Sequence, residues 1–257
     1  MGRLLFLGTG DPLNDERAQT CLALPQADGT TVLVDTSSGT ILLRQLRAAG
    51  LGLAQLRHVF ISHRHFDHAG GLAPLLVALT AVPEADLTVH ALPETLQSLH
   101  ELLAVTIPGV EGWLGSRLHW HALNDGGAVA VGDLIVTPFA VEHYIETCGF
   151  RFEQHGRVAV FTADTQPCPN VTSYAHAADV LIHEVYGPDR DAVVAHRFGH
   201  SSAGDAGRAA REAASRRLIL THFRASQHVD PLALVAEAAA VYGRPTEAAT
   251  DLMAVDW

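Results

Sequence analysis

Between residues 61 and 71 the chain reads Ile61-Ser62-His63-Arg64-His65-Phe66-Asp67-His68-Ala69-Gly70-Gly71, with three histidines and an aspartate in six positions. It follows Leu56-Arg57-His58-Val59-Phe60-Ile61, which reads as a short buried strand. A fold that accepts this run must deliver polar nitrogens and oxygens at a strand end and match them there, because burying them unpaired is costly. Neighbouring residues on a strand point to opposite faces, and a loop relaxes that restriction. His63 and His65 can therefore aim one way, and Asp67 and His68 another. Imidazole nitrogens and carboxylate oxygens suit a borderline divalent cation such as zinc. Four ligands are too many for one catalytic metal that keeps an open position, so two metals are expected. The bland alternative, a histidine-rich loop that merely solvates well, does not account for the preceding strand and the Ala-Gly-Gly exit.

The remainder of the chain sets bounds. With 257 residues and 48% hydrophobic content it can build the core of a layered α/β enzyme. Its formal net charge is −11, which counts against tight nucleic-acid binding, since that rests on phosphate neutralisation by Lys and Arg. Cys21, Cys148 and Cys168 do not form a disulfide framework and read as small packing residues. Leu4 to Leu7 is too short for a secretory h-region and no apolar run is long enough to span a bilayer, so a cytoplasmic location without membrane attachment is the expectation. Homo-oligomerisation is left open.

No linker, repeat or charge block divides residues 1–257, so a single domain is expected. Strands are expected at Arg3 to Gly8, Cys21 to Leu24, Thr31 to Asp35, near Val59, at Leu87 to His90, Leu118 to Leu123, Ala128 to Val131 and Leu134 to Phe139. Later ones fall at Cys148 to Glu153 and Val158 to Phe161, a hairpin around His155-Gly156, then at Val180 to His183 and Leu218 to Leu220. Helices are expected at Ser38 to Ala49, Gly71 to Thr80, Pro93 to Val105, Ser201 to Ala214 with Ser201 or His200 at its cap, and Pro231 to Tyr242. Strands then helices, twice, predict an α/β fold of two sheets between helical layers.

The pattern His-x-His-x-Asp-His after a strand resembles the metallo-β-lactamase superfamily. That resemblance implies the four-layer αββα sandwich and more ligands downstream. The chain offers Glu142-His143 after the run Leu134 to Phe139, Asp164 after Val158 to Ala163, and His222 after Leu218 to Thr221. By the resemblance His63, His65 and His143 bind one metal, Asp67, His68 and His222 the second, and Asp164 bridges them. It implies two divalent ions, zinc in the first place and manganese or iron as alternatives, with a metal-bridging hydroxide as nucleophile and Asp67 orienting or deprotonating the water. Asp35, closing Thr31 to Asp35, matches an aspartate that supports a ligand without binding metal. Taken singly these residues have plainer readings: Asp35 as a turn residue, Asp164 as a turn or cap residue, and His143 as a surface histidine with His119 and His121 as competitors.

Phe6-Leu7-Gly8-Thr9-Gly10, Ala178 to Glu184, Gly199-His200-Ser201-Ser202-Ala203-Gly204 and Leu220-Thr221-His222-Phe223 resemble motifs of the ribonuclease Z branch. There the histidine matching His200, with a glutamate matching Glu184, implies proton transfer to the leaving oxygen. The plainer reading makes His200 a helix-start residue and Glu184 a strand-end carboxylate. That branch carries a long tRNA-gripping arm, but here His143 and Asp164 stand 21 positions apart, too close to hold it. The loop Asp11 to Arg17 is acidic where that family usually places a lysine, and no Arg-Tyr follows Phe223.

The expectation is therefore a dinuclear metal-dependent hydrolase, a phosphodiesterase acting on a small anionic substrate, with Asp67, His200 and Glu184 catalytic. Arg197, Arg224, His196 and Tyr144 are candidates for gripping the anion, or else ordinary surface groups. Alternatives are a lactonase, β-lactamase or arylsulfatase-like hydrolase on the same site, and a ribonuclease Z-type tRNA 3′ endonuclease. A flavodiiron-like redox protein is disfavoured by the full histidine complement.

Overall fold

A computed structural model describes residues 2–225 and 230–257. The first sheet contains β1 (Arg3–Gly8), β2 (Cys21–Pro25), β3 (Thr31–Val34), β4 (Leu56–Ile61), β5 (Leu87–Ala91) and β6 (Leu118–Ala122). The second contains β7 (Val129–Val131), β8 (Leu134–Ala140), β9 (Cys148–Gln154), β10 (Arg157–Phe161), β11 (Val180–Glu184), β12 (Leu218–Thr221) and β13 (Thr246–Ala248). The C-terminal β14 (Ala254–Asp256) returns to the first sheet, giving the orders β14-β1-β2-β3-β4-β5-β6 and β13-β12-β11-β10-β9-β8-β7.

Helices cover the outer faces. α1 (Ile41–Ala48), α2 (Phe66–Ala69), α3 (Leu72–Thr80), α4 (Pro93–Thr106) and α5 (Val110–Leu114) belong to the first half. α6 (Pro169–Tyr174), α7 (Ala192–Arg197), α8 (Ala203–Glu212) and α9 (Pro231–Tyr242) belong to the second. Three apolar layers hold the assembly. Phe6, Phe60, Phe150, Phe152 and Phe161 fill the space between the sheets. Leu33, Val59 and Val89 meet Leu72, Leu76 and Leu99 on one outer face, and Leu181, Leu218 and Leu220 meet Ala206, Ala210 and Leu234 on the other. This is the αββα sandwich.

Each sheet changes character partway. β14-β1-β2-β3 and β7-β8-β9-β10 pair antiparallel, whereas β3-β4-β5-β6 and β10-β11-β12-β13 pair parallel. Parallel strands end on the same edge, and in α/β sheets that edge is where ligands bind. β3, β4, β10, β11 and β12 thus all deliver their next residues to one rim. The sheets are tied together there: Asp11 N donates to Phe223 O (2.9 Å), Phe223 N to Thr9 O (2.8 Å) and Cys148 N to Ser62 O (3.1 Å).

The expected strands and long helices are present within one to three residues, and the hairpin turns through His155 and Gly156 with φ of 51° and 75°, as a two-residue type I′ turn requires. Two helix starts need correction. The helix expected from Ser38 begins at Ile41. The helix expected at Ser201 to Ala214 begins at Ala203, and its cap is Ser202, whose hydroxyl accepts from Asp205 N. Ser201 Oγ is committed instead to Thr165 O at 2.6 Å. The short α2, α5, α6 and α7 and the small strands β13 and β14 carry too few residues for a periodic signal.

Candidate metal centre and acid–base pair

The rim collects side chains from across the chain into two groups that share Asp164: His63, His65, His143 and Asp164, and Asp67, His68, Asp164 and His222, each with ligand-type atoms within 4.8 Å of one another. His63 follows β4 directly. The single turn of α2 then reverses the direction of Asp67 and His68, so the one loop feeds both groups. Asp35, Ala163 and His222 leave their strands in the left-handed region, with φ of 58°, 52° and 61°. For residues other than glycine this costs about 1–3 kcal/mol each, a strain that accumulates where function fixes the backbone.

Hydrogen bonds fix three of the imidazoles in one tautomer. His143 Nδ1 meets Gly199 O at 2.8 Å, and a carbonyl only accepts, so Nδ1 carries the hydrogen. His68 Nδ1 donates to Asp35 Oδ2 at 2.8 Å. Ser62 Oγ gives its one hydrogen to Asp35 Oδ2 at 2.9 Å, and therefore accepts from His63 Nδ1 at 2.9 Å. In His63 and His143 Nε2 is left as a bare lone pair turned into the site, the outer support that orients histidine ligands toward a metal, while His68 Nε2 faces Asp67 Oδ2 and Asp164 Oδ1, each at 3.3 Å. His65 Nδ1 lies 2.9 Å from His63 Nε2 and 3.4 Å from His143 Nε2, so these three nitrogens have at most one hydrogen among them. His68 Nε2 and Asp164 Oδ1 are buried 3.3 Å apart and neither makes a hydrogen bond. Buried polar atoms are rarely left so. A divalent cation in each group would satisfy all of them, so the donor set fits the metal chemistry.

The electrostatics agree. Burial lowers the pKa of His63 and His143 and, with His143 beside it, brings His65 down to about 4, so these rings are the neutral donors a metal requires. Burial also opposes charge on Asp67 and Asp164, but the surrounding histidines outweigh it and hold both carboxyls below their usual range. At His68 and His222 burial is in turn outweighed by these carboxylates, which raise both. Asp35 is fully buried; burial raises its pKa, while bonds from His68 and from Ser62 N (2.7 Å) favour its charged form.

Beside both groups, Glu184 at the end of β11 takes two bonds on Oε1: from Thr165 N, next to Asp164, and from His200 Nδ1, each at 2.9 Å. Burial disfavours a charged His200, but Glu184 overcomes it and raises the pKa to about 9. The His200 ring stands 5.1 Å from that of His143 and 5.6 Å from that of His222. His200 thus holds a proton at the rim of the site.

The other sequence candidates divide. Arg224 and Tyr144 line a cavity beside the clusters. His196 turns away to Asp205 at 2.7 Å, and Arg197 is exposed and not among the lining residues. His119 and His121 lie on β6, bonded to Asp86 (2.8 Å) and His90 (2.9 Å), and enter neither cluster. Sequence reasoning missed Ser62, Gly199, Asp11, Tyr186 and Phe198. Gly199 could have been noticed: its φ is +74° and a Cβ there would meet His143 Nδ1 at 2.6 Å.

The fold and clusters define a class, the metallo-β-lactamase superfamily of metal-dependent hydrolases. The chain belongs to it, matching the Beta-lactamase superfamily domain over residues 30–223, in a ribonuclease Z-like branch. It is 30% identical to "Ribonuclease Z" of Mycolicibacterium paratuberculosis, across 87% of this chain and 86% of that protein. Among solved structures it superposes on the metallo-beta-lactamase fold protein YhfI from Bacillus subtilis with a TM-score of 0.84 (21% identity, 99% and 98% coverage). A diphosphatase from the PhnP family follows with a TM-score of 0.78 (18% identity, 100% and 98% coverage). Between His143 and Asp164 this chain forms only β9, β10 and their turns, with no arm.

Proposed function

We propose that residues 1–257 form one catalytic domain, a dinuclear metal-dependent phosphodiesterase acting on small anionic esters. His63, His65 and His143 would hold one cation, Asp67, His68 and His222 the other, and Asp164 both; zinc suits this mixture of nitrogen and oxygen donors. Divalent cations there would lower the pKa of water and offset negative charge on the reacting group. The observation that carries the reading is the bond from His200 Nδ1 to Glu184 Oε1 at 2.9 Å beside both clusters, a carboxylate contact that favours the protonated ring. When the P–O bond of a phosphodiester breaks, the leaving oxygen departs as an alkoxide and needs a proton, which an imidazolium at that position would supply. Asp67, its carboxyl held ionised, would orient the attacking water. No helix among the described residues is long and apolar enough to cross a membrane.

The test is hydrolysis of bis-p-nitrophenyl phosphate and 2′,3′-cyclic nucleotides by protein of measured metal content, beside a lactone and β-lactam panel. Phosphodiesters should be cleaved. Turnover of a lactone or β-lactam with no phosphodiester cleaved would sink the reading. A second reading, an RNA endonuclease, is favoured by the ribonuclease Z relative. The net charge of −11 and the missing arm weigh against a tRNA grip. Cleavage of a precursor tRNA at its 3′ end, faster than any small ester, would reverse the order.

A further inference from the structure

The cavity beside the clusters has a volume of about 200 Å³, and Tyr144, Tyr186 and Phe198 are among the residues that line it. That is below the ~300–1,000 Å³ of pockets for drug-sized ligands, so it admits one ring system. Its wall is a run of near-parallel rings leading away from the clusters. His222 and His200 have centroids 5.6 Å apart at 21°, His200 and Tyr186 5.6 Å at 25°, and Tyr186 and Phe198 6.4 Å at 19°. Phe198 at the outer end of the run is 51% exposed, and Tyr144, which also lines the cavity, is 65% exposed.

The polar groups of this cavity do not make an anion grip. Arg224 lies over the Tyr186 ring at 4.8 Å and its Nε is 4.0 Å from Asp11 Oδ2, so a carboxylate already faces its charge. Asp11 is buried and lines the cavity, and among the described residues its side chain accepts from Leu13 N (3.0 Å) on Oδ1. A buried carboxylate with spare acceptor capacity beside flat aromatic walls asks for a flat ring that carries N–H donors.

We infer, resting on the phosphodiesterase reading, that this cavity is a nucleobase subsite. The base of a nucleoside phosphodiester lies along Tyr186 and Phe198 and donates N–H to Asp11, while its phosphate reaches the clusters. Guanine, with adjacent ring and amino N–H groups, suits a carboxylate best. Arg224 lies over the Tyr186 ring and faces Asp11, which fixes the wall and the carboxylate relative to each other. Stacking tolerates any base, so Phe198 sets affinity for bases in general and Asp11 sets preference among them.

The experiment compares kcat/KM of the metal-loaded protein for 2′,3′-cyclic GMP and for methyl riboside 2′,3′-cyclic phosphate, the same ester without a base. The base should raise kcat/KM by about tenfold or more. Phe198→Ala should bring that ratio toward one for every base, and Asp11→Asn should lower it for guanine more than for uracil. A wild-type ratio near one, or a ratio unchanged in Phe198→Ala, overturns the subsite while leaving the phosphodiesterase reading intact. Cleavage of neither ester overturns that reading instead. Saturation-transfer NMR with GMP and ribose 5-phosphate on zinc-loaded protein then judges the subsite: transfer to the base proton supports it, and none overturns it.

Discussion

The floor of the site and its rim are built by opposite means. On the floor, His63, Asp164 and His222 are buried just past strand ends and His68 in the turn of α2, held by bonds to Ser62, Asp35 and one another, at the cost of left-handed backbone at three positions. At the rim, Tyr144, Phe198 and Leu13 stand largely in solvent. Preorganisation is needed where charge develops, because misplaced donors lose most of their effect. Recognition tolerates looser groups. Chemistry should therefore depend on the floor and substrate choice on the rim.

The largest effect should come from the floor itself. Asp67→Ala removes a carboxylate between His68 and His222 and should abolish activity and lower the metal count; wild-type turnover in that variant would break the site assignment. His200→Ala should come next, costing about 10²–10⁴-fold in kcat on a substrate with a poor leaving group, and much less on a nitrophenyl ester that needs no acid. The pH profile sharpens this. A general acid acts while protonated, so activity should fall as pH rises through about 9, where His200 loses its proton. Burial already pulls that pKa down; Glu184→Gln removes the opposing charge and should move the alkaline limb to lower pH.

Asp35→Ala, one bond removed from the donors, should weaken metal binding about 10–100-fold, read by competition with a chelator. Gly199→Ala would force a Cβ onto His143 at a left-handed position, and should reduce activity more than thermal stability because the clash falls on a ligand. The smallest effect is at the rim: Phe198→Ala should keep its metal and stay within about 0.5 kcal/mol of wild-type stability, as exposed substitutions do. Loss of metal in Phe198→Ala would erase the distinction between floor and rim.

The same division decides what was legible in the sequence. The loop from His63 to His68 is contiguous, and Asp164 and His222 each end an apolar run, so strand periodicity points to them directly. The parallel halves of both sheets then bring those ends to one edge with no further information. The rim has no such register. His196 and Arg197 were candidates for contacting substrate, yet the neighbouring Phe198 lines the cavity, because the six-residue α7 is too short to show which face it turns inward. Ser62 and Asp11 were hidden for a related reason: their roles come from partners far along the chain, Asp35 for one and Arg224 for the other.

The central claim, two cations shared through Asp164, is tested most directly by metal analysis of wild-type protein and Asp164→Ala, each reconstituted with zinc and assayed on a 2′,3′-cyclic nucleotide. The account predicts about two ions per chain and cleavage in the wild type, with fewer ions and no cleavage in the variant. A chelated wild type that still cleaves the ester, or a variant that keeps both ions and full activity, would contradict it.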